Sequence, residues 1–404
     1  MWRLGGLPLA LTIAAAFALR VAARMWLTDA PYDESGYSFY LQIARTWLDG
    51  GGLCREPSVQ CAQRMPLYPV WLAPFVAADW VYPGVVLAQA AVGAGAAWLA
   101  WAIGNELFDS RAGLVAAGLT AANPYAVVHD TALQDTCLLN ALVALAVLLV
   151  LRLRHRASSG LAIGAGLALA LAVLTTARVA LLLPVAVSWI AFAGGKTRSS
   201  RVRHAIITGA TAMTLVGGWM VRNAFVVGAP VLTTETGLSL WVANNDWTFA
   251  HFPERSIDLS TVESYRQLPG PQLDALRSVE ANAVARDRLQ ASWAVAWALA
   301  EPRRMAERVV RKLWVVVSAE LSPARTRLVQ VGYLLLFVPV HVLAMVGLWQ
   351  SRHEWHSHAI LYAVFATFAL TTAIFWAHTS HKSHLDAFLF VYSAGAVRST
   401  RLFS

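Results

Sequence analysis

The sequence predicts an all-α polytopic membrane protein, with about ten transmembrane helices, external amphipathic helices and a small external loop domain. Three observations predict it. Of the 404 residues, 57% are hydrophobic and only 14% are charged, where a soluble globular chain carries roughly 25%. The apolar residues come in long blocks, and about 20 such residues cross a hydrocarbon core. The remaining charge is concentrated between the blocks.

The first block covers residues 4–27 and holds the first candidate span, 8–26. No small-residue cleavage site follows it, so it reads as a retained helix and not a signal peptide. Further candidate spans are 83–104, 112–124, 135–151, 160–176, 179–193, 205–221, 329–349, 359–377 and 385–397. They divide the chain into a transmembrane core with two external loops (1–221), an external loop region (222–308) and C-terminal helices (309–404). The 222–308 region carries the turn signals "GAPV" and "LPGPQ", then a helical run over 273–300. There is no internal repeat.

The formal net charge is +9, with 17 Trp. In a soluble chain that balance would point to nucleic acid. Here basic cytoplasmic loops and interfacial tryptophans account for it, and no nucleic-acid partner is expected. "RLRHR" at 152–156 and "KTRSSRVRH" at 196–204 are the basic loops. The positive-inside rule puts both in the cytoplasm, with two spans between them, which makes both termini cytoplasmic. The opposite face then receives the 28–65 loop, "NPYAVVHDTALQD", Arg178, the 222–308 region and "HTSHKSH" at 378–384. Any chemistry belongs to that external face.

Asp33 and Glu34 end the first apolar block and open "ESGYSFYLQIARTWL". Tyr37, Tyr40, Leu41, Ala44 and Leu48 fall at helical spacing, which predicts an amphipathic helix lying on the membrane surface. Asp130 and Asp135 form a second external acidic site, Asp135 opening a span. Each acidic site has an alternative reading as a helix N-cap. Arg178, Arg222 and Lys382 stand at the external ends of spans, as ligands or as interfacial anchors. His378, His381 and His384 read better as phosphate or interface contacts than as metal ligands, because residues six apart share a helix face poorly, and no metal is assigned. "ANNDW" at 243–247 is a turn or a substrate contact. Cys54 and Cys61 flank "REPSVQ" on the oxidising side, where a disulfide can persist and clip the first loop. Cys137 lies within a span and reads as core.

"YDESGYSFYLQIARTWLDGGGL" followed by "RMPLYPVWLAPFV" resembles the opening of the GT-C glycosyltransferases, in the branch of protein mannosyltransferases and aminoarabinose transferases. Met65-Pro66-Leu67-Tyr68-Pro69 matches that branch's "PPLYP" element. Asp135 in "NELFDSRAGLVAAGLTAANPYAVVHDTALQDTCLLNAL" is similar to the acidic position of the second loop. "GLALALAVLTTARVALLLPVAV" carries Arg178 as the arginine of "LTRP", with Val179 in place of the proline. "GWMVRNAFVVGAPVLTTETGLSLWVANN" is similar to the stretch leading into the external domain. "AHTSHKSHLDAFLFVYSAGAV" resembles the late "RYRLPLDPFL" segment, with Lys382 where an arginine is usual and His384 in place of a proline.

The resemblance implies transfer of a sugar from a polyprenyl-phosphate donor to a lipid, protein or glycan acceptor, without a cofactor. It implies Asp33 as general base, Glu34 as an orienting or acceptor-binding group and Asp135 as a second acidic group. Arg178, Arg222 and Lys382 become the donor-phosphate ligands. The Arg-rich composition associates with a bacterial source, hence an inner membrane with the site on its periplasmic face. A transporter or lipid flippase is the alternative from another class. It would carry midplane charges in paired halves, whereas the polar residues here gather at one face. A polysaccharide ligase or polymerase, using a pyrophosphate-linked donor, is the third reading.

Overall fold

The computed structural model describes residues 6–26, 38–58, 60–156 and 158–399. They form eighteen α-helices and no β-strand. The N-terminal part holds α1 (Gly6–Trp26), α2 (Ser38–Leu48), α3 (Leu67–Ala77), α4 (Val81–Leu107), α5 (Ser110–Ala122) and α6 (Pro124–His129). Then come α7 (Thr136–Leu153), α8 (Ser159–Thr175), α9 (Leu182–Ala193) and α10 (Arg198–Val227). Five shorter helices follow: α11 (Thr236–Ala243), α12 (Ile257–Arg266), α13 (Gly270–Ser278), α14 (Ala283–Ala300) and α15 (Pro302–Val317). The chain closes with α16 (Arg327–Gln350), α17 (Trp355–Ile374) and α18 (Thr379–Ser399).

Local chemistry sets many of the boundaries. Asp109 accepts from the Ala112 amide at 2.9 Å and starts α5. Asn123 accepts from the Tyr125 amide at 3.1 Å, with Pro124 in the first turn of α6. Ser158, Thr197 and Asn282 cap α8, α10 and α14 in the same way, each side-chain oxygen satisfying an otherwise orphaned amide. Asn282 also divides the 273–300 run, which is two helices and not one.

All ten apolar blocks are helical, and the chain is an integral membrane protein. Among the described residues, length and composition alone fit five stretches for crossing: Gly6–Trp26, Val81–Leu107, Thr136–Leu153, Arg198–Val227 and Arg327–Ile374, the last containing both α16 and α17. Helices α5 and α9 have 13 and 12 residues, shorter than the about 20 that span a bilayer core.

The main core lies among α4, α5, α7, α8, α10 and α18 and is made largely of Ala, Val and Leu. Small residues let these helices approach. A Cβ added at Gly104 of α4 would lie 2.9 Å from the Gly113 Cα of α5. Attraction in such a bundle comes from close packing and not from exclusion of water.

Two sequence expectations change. The apolar face of α2 is not spread on a membrane surface, because Tyr40, Leu41 and Ala44 are buried against Tyr68 and Leu72 of α3 and Leu133. Helix α18 begins at Thr379, so most of "HTSHKSH" forms its first turns and is not a loop.

Candidate active site

The second acidic stretch is held from two sides. Arg20 of α1 donates from Nε to Asp130 Oδ2 at 2.8 Å, and its Nη1 donates to Ala16 O at 2.9 Å. Both side chains are almost fully buried. Gln89 of α4 donates to Ala132 O at 2.7 Å and to Asp130 O, and itself accepts from Tyr68 Oη at 2.7 Å. Gly93 makes room for the ion pair, since a Cβ there would stand 2.7 Å from Asp130 Oδ2. Asp130 is therefore committed to Arg20 and serves to position its loop.

Asp135, five residues on, is differently placed. It occupies the N-cap position of α7, yet its side chain makes no capping bond. Its Oδ2 instead accepts from Tyr40 Oη of α2 at 3.1 Å. The cap alternative therefore does not describe Asp135. Arg178 and Arg64 both act electrostatically on this carboxylate.

Arg178 sits in a single 3-10 turn, Ala177–Val179, between α8 and α9. It lines a cavity of about 20 Å³ with Trp376, His381, His384 and Thr371, which is room for about one water molecule. His381 and His384 are three apart on α18 and share the face turned into this cavity. Neither Nδ1 has a hydrogen-bond partner among the described residues. His378 precedes α18, with its ring 4.0 Å from that of His381. Burial, helped by Arg178, His129 and Arg325, holds the His378 imidazole down at about 3, so it is neutral at physiological pH. His384 meets the Phe368 ring edge-on at 5.3 Å. Among the described residues no group of His, Cys, Asp and Glu is placed to hold a metal ion.

The other two candidate cations point elsewhere. Arg222 of α10 donates to Cys61 O at 2.6 Å and to Leu53 O at 3.3 Å, and lies 4.8 Å from the Trp219 ring. It clamps the loop that the Cys54–Cys61 disulfide closes. Lys382 lies on the side of α18 away from His381. It donates to Val316 O at 3.0 Å, at the C-terminal end of α15, and stands 4.1 Å over the Phe337 ring, where a cation meets the negative end of a helix. Of the three cations, only Arg178 lines the cavity. The predicted general base Asp33 and its neighbour Glu34 lie outside the described residues, between α1 and α2 in sequence.

Arg64, Arg325 and Tyr40 were not singled out as polar site groups by the sequence. Arg64 pairs with Glu235 and lies 4.5 Å from the Phe39 ring. The burial of Glu235 holds its carboxyl above the ordinary value, against the pull of Arg64 and Gln63. Arg325 acts on His129 and His378 from the segment between α15 and α16.

The comparisons with known proteins relate part of this chain to a family of mannosyltransferases and its fold to that of a membrane oligosaccharyltransferase. Residues 66–221, which include Asp135 and Arg178, match the model of the dolichyl-phosphate-mannose-protein mannosyltransferase family. The oligosaccharyltransferase AglB from Archaeoglobus fulgidus, solved with an inhibitory peptide and a dolichol-phosphate, has a similar fold. Its TM-score is 0.58 at 15% identity, over 98% of this chain and 51% of that one. The apo form of the Archaeoglobus fulgidus enzyme gives 0.58 at 14% identity, over 98% and 51%. The form tethered to an acceptor peptide with the NVT sequon gives 0.56 at 14%, over 96% and 49%. The chain thus spans about half the length of these structures, and the likeness concerns the fold. No curated protein matches the chain.

Proposed function

We propose that this protein transfers a sugar from a polyprenyl-phosphate donor to an acceptor at the external face of a bacterial inner membrane. The observation that carries the reading is the buried carboxylate of Asp135, held by Tyr40 and subject to the charge of Arg178. Helix α7, with Tyr40 of α2, holds the carboxylate, and the turn between α8 and α9 sets the guanidinium within its electrostatic reach. Both residues fall in the stretch that matches the mannosyltransferase family. The dolichol-phosphate and the peptide bound to AglB support a lipid-phosphate donor and a separate acceptor.

In this reading the acceptor hydroxyl attacks the anomeric carbon of the donor. A new C–O bond forms as the bond to the phosphate oxygen breaks. Asp33 takes the hydroxyl proton as general base, and Glu34 orients the acceptor. Asp135 holds acceptor or base in register. Arg178 stabilises the charge that develops on the leaving phosphate, an interaction that shielding from water strengthens.

The test uses the full chain in proteoliposomes with a polyprenyl-phosphate sugar, read as the single-turnover transfer rate. Asp33→Asn keeps the size of the side chain but cannot take the proton, so the rate falls by about 10²-fold or more while donor binding survives. Asn caps a helix about as well as Asp, so a near-wild-type rate would leave Asp33 a cap and remove it as base. A wild-type chain that leaves the donor chemically intact while moving it across the bilayer would favour the flippase instead.

A further inference from the structure

Helix α15 is inside out for a helix at a water-facing surface. Val310, Trp314 and Val317 share one face and are 68%, 67% and 66% exposed. On the opposite side Lys312 has no exposed surface, and Arg308 is 9% exposed. Lys312 Nζ donates to Asn244 Oδ1 at 3.1 Å and to Ile374 O at 3.3 Å. Arg308 Nη2 donates to Asp246 O at 3.3 Å, with its guanidinium 4.7 Å from the Trp297 ring. Val315 and Val316 are buried beside Lys312, but in water the wide exposed face of Val310, Trp314 and Val317 and the dehydration of two cations would both be costly. In contact with acyl chains the observed orientation is the favoured one, because the apolar face is already in an apolar solvent and the cations have protein partners.

Two further features say what covers the exposed face. The first is continuity. Between Val317 and Ala319 on one side and α16 on the other runs an apolar groove of about 490 Å³, walled by Phe337, Val342 and Met345. The groove joins the α15 face to α16, whose Leu335 and Met345 are also exposed and which belongs to one of the membrane-crossing stretches. At the other end Leu299 of α14 extends the strip past the Pro302 corner. The second feature is charge. Arg303 and Arg311 remain exposed on α15, with Glu307 pairing Arg303 at 3.2 Å, while Arg304 pairs with Asp246 at 2.7 Å. Basic residues beside an apolar strip suit the level of lipid phosphates.

From this we infer that α15 lies in the bilayer at the boundary between headgroups and acyl chains. Its Val310–Trp314–Val317 face is in the acyl region, and Arg303 and Arg311 are at the phosphates. The region between α10 and α16 is then docked on the membrane through α15 and does not stand off as a free external domain.

The test places a bimane-labelled cysteine at Val310, Trp314 or Val317 in the full chain, reconstituted in nanodiscs of phosphatidylcholine and phosphatidylglycerol. Labelling is specific because Cys54 and Cys61 are joined and Cys137 is buried. A label at the exposed Asp274 of α13 is the water-side control. Lipids with a doxyl group near the head of the acyl chain should quench the three α15 labels strongly and the control weakly, with iodide giving the reverse. Stronger quenching by iodide at 310 and 314 would overturn the proposal in favour of a wet surface. Quenching by neither reagent would overturn it in favour of covering protein, either a second copy or another segment. All three positions read one face, so the failure of one variant to fold leaves the test intact.

Discussion

The Arg20–Asp130 pair is the most demanding polar contact within the bundle, and its removal has a calculable effect. In Asp130→Ala the guanidinium of Arg20 stays buried, with its Nε unanswered and only Ala16 O, Ala121 O and Thr120 O to accept from it. Deleting one partner of a buried pair costs about 3–5 kcal/mol, a large share of the roughly 5–15 kcal/mol that holds a domain folded. Arg20→Met leaves the carboxylate stranded and should cost a similar amount. The double variant removes both charges, so it should cost less than either single variant, which requires a coupling energy above about 3–5 kcal/mol. The assay is a four-corner cycle of unfolding midpoints in one detergent, read beside the transfer rate. The rate should fall in both single variants, because the 130–135 loop carries Asp135. An unchanged midpoint in Asp130→Ala, or single effects that merely add, would refute the argument that this pair fixes the loop.

Two other substitutions separate site from scaffold. Arg178→Ala should lower donor use about tenfold to a hundredfold, the equivalent of a charge-assisted bond of about 1.5–3 kcal/mol, with little loss of stability. Arg222→Ala should do the opposite, lowering the unfolding midpoint by freeing Cys61 O and Leu53 O while donor KM stays near wild type; the two kinetic profiles decide between the roles. Glu235 gives a pH dependence. A carboxyl raised above its ordinary value of 4.5 binds its proton more tightly folded than unfolded, so its contribution to stability declines as pH rises from that value. Wild type should therefore lose stability relative to Glu235→Gln between about pH 4.5 and neutrality, and a pH-independent difference in midpoint would show that the ion pair with Arg64 offsets burial.

What the sequence made legible follows from the kind of signal it contains. Apolar blocks mark helices, and all ten candidate blocks are helical. They do not fix crossings, because α5 and α9 are helical yet short. Arg178 stood out as a cation in an apolar hairpin, and it does line the cavity. Arg222 and Lys382 carried the same signal but answer to backbone carbonyls, a distinction that depends on where Cys61 and Val316 fold. The spacing of His381 and His384 predicted a shared face, whereas Lys382, one residue along, turns the other way. The partners Arg20 and Asp130 lie 110 residues apart, and Tyr40 and Asp135 lie 95 apart. No local pattern announces contacts at such distances. Periodicity gave α2 its apolar face without saying that α3 would cover it.

The burial of Arg20 also bears on how the chain enters the membrane. Helix α1 is synthesised before the residues that partner its arginine, which costs up to about 2.5–3.5 kcal/mol within a span. The carboxylate that answers it is synthesised 110 residues later, on the order of ten seconds at ordinary elongation rates. Helices α4 and α5, which complete its surroundings, also come after it. Helix α1 therefore becomes stably seated only after α5 and the 130–135 loop have been made. Chains truncated before Asp130 should release α1 to alkaline extraction, and chains extended through α7 should retain it. Equal retention would mean that α1 is held by lipid alone.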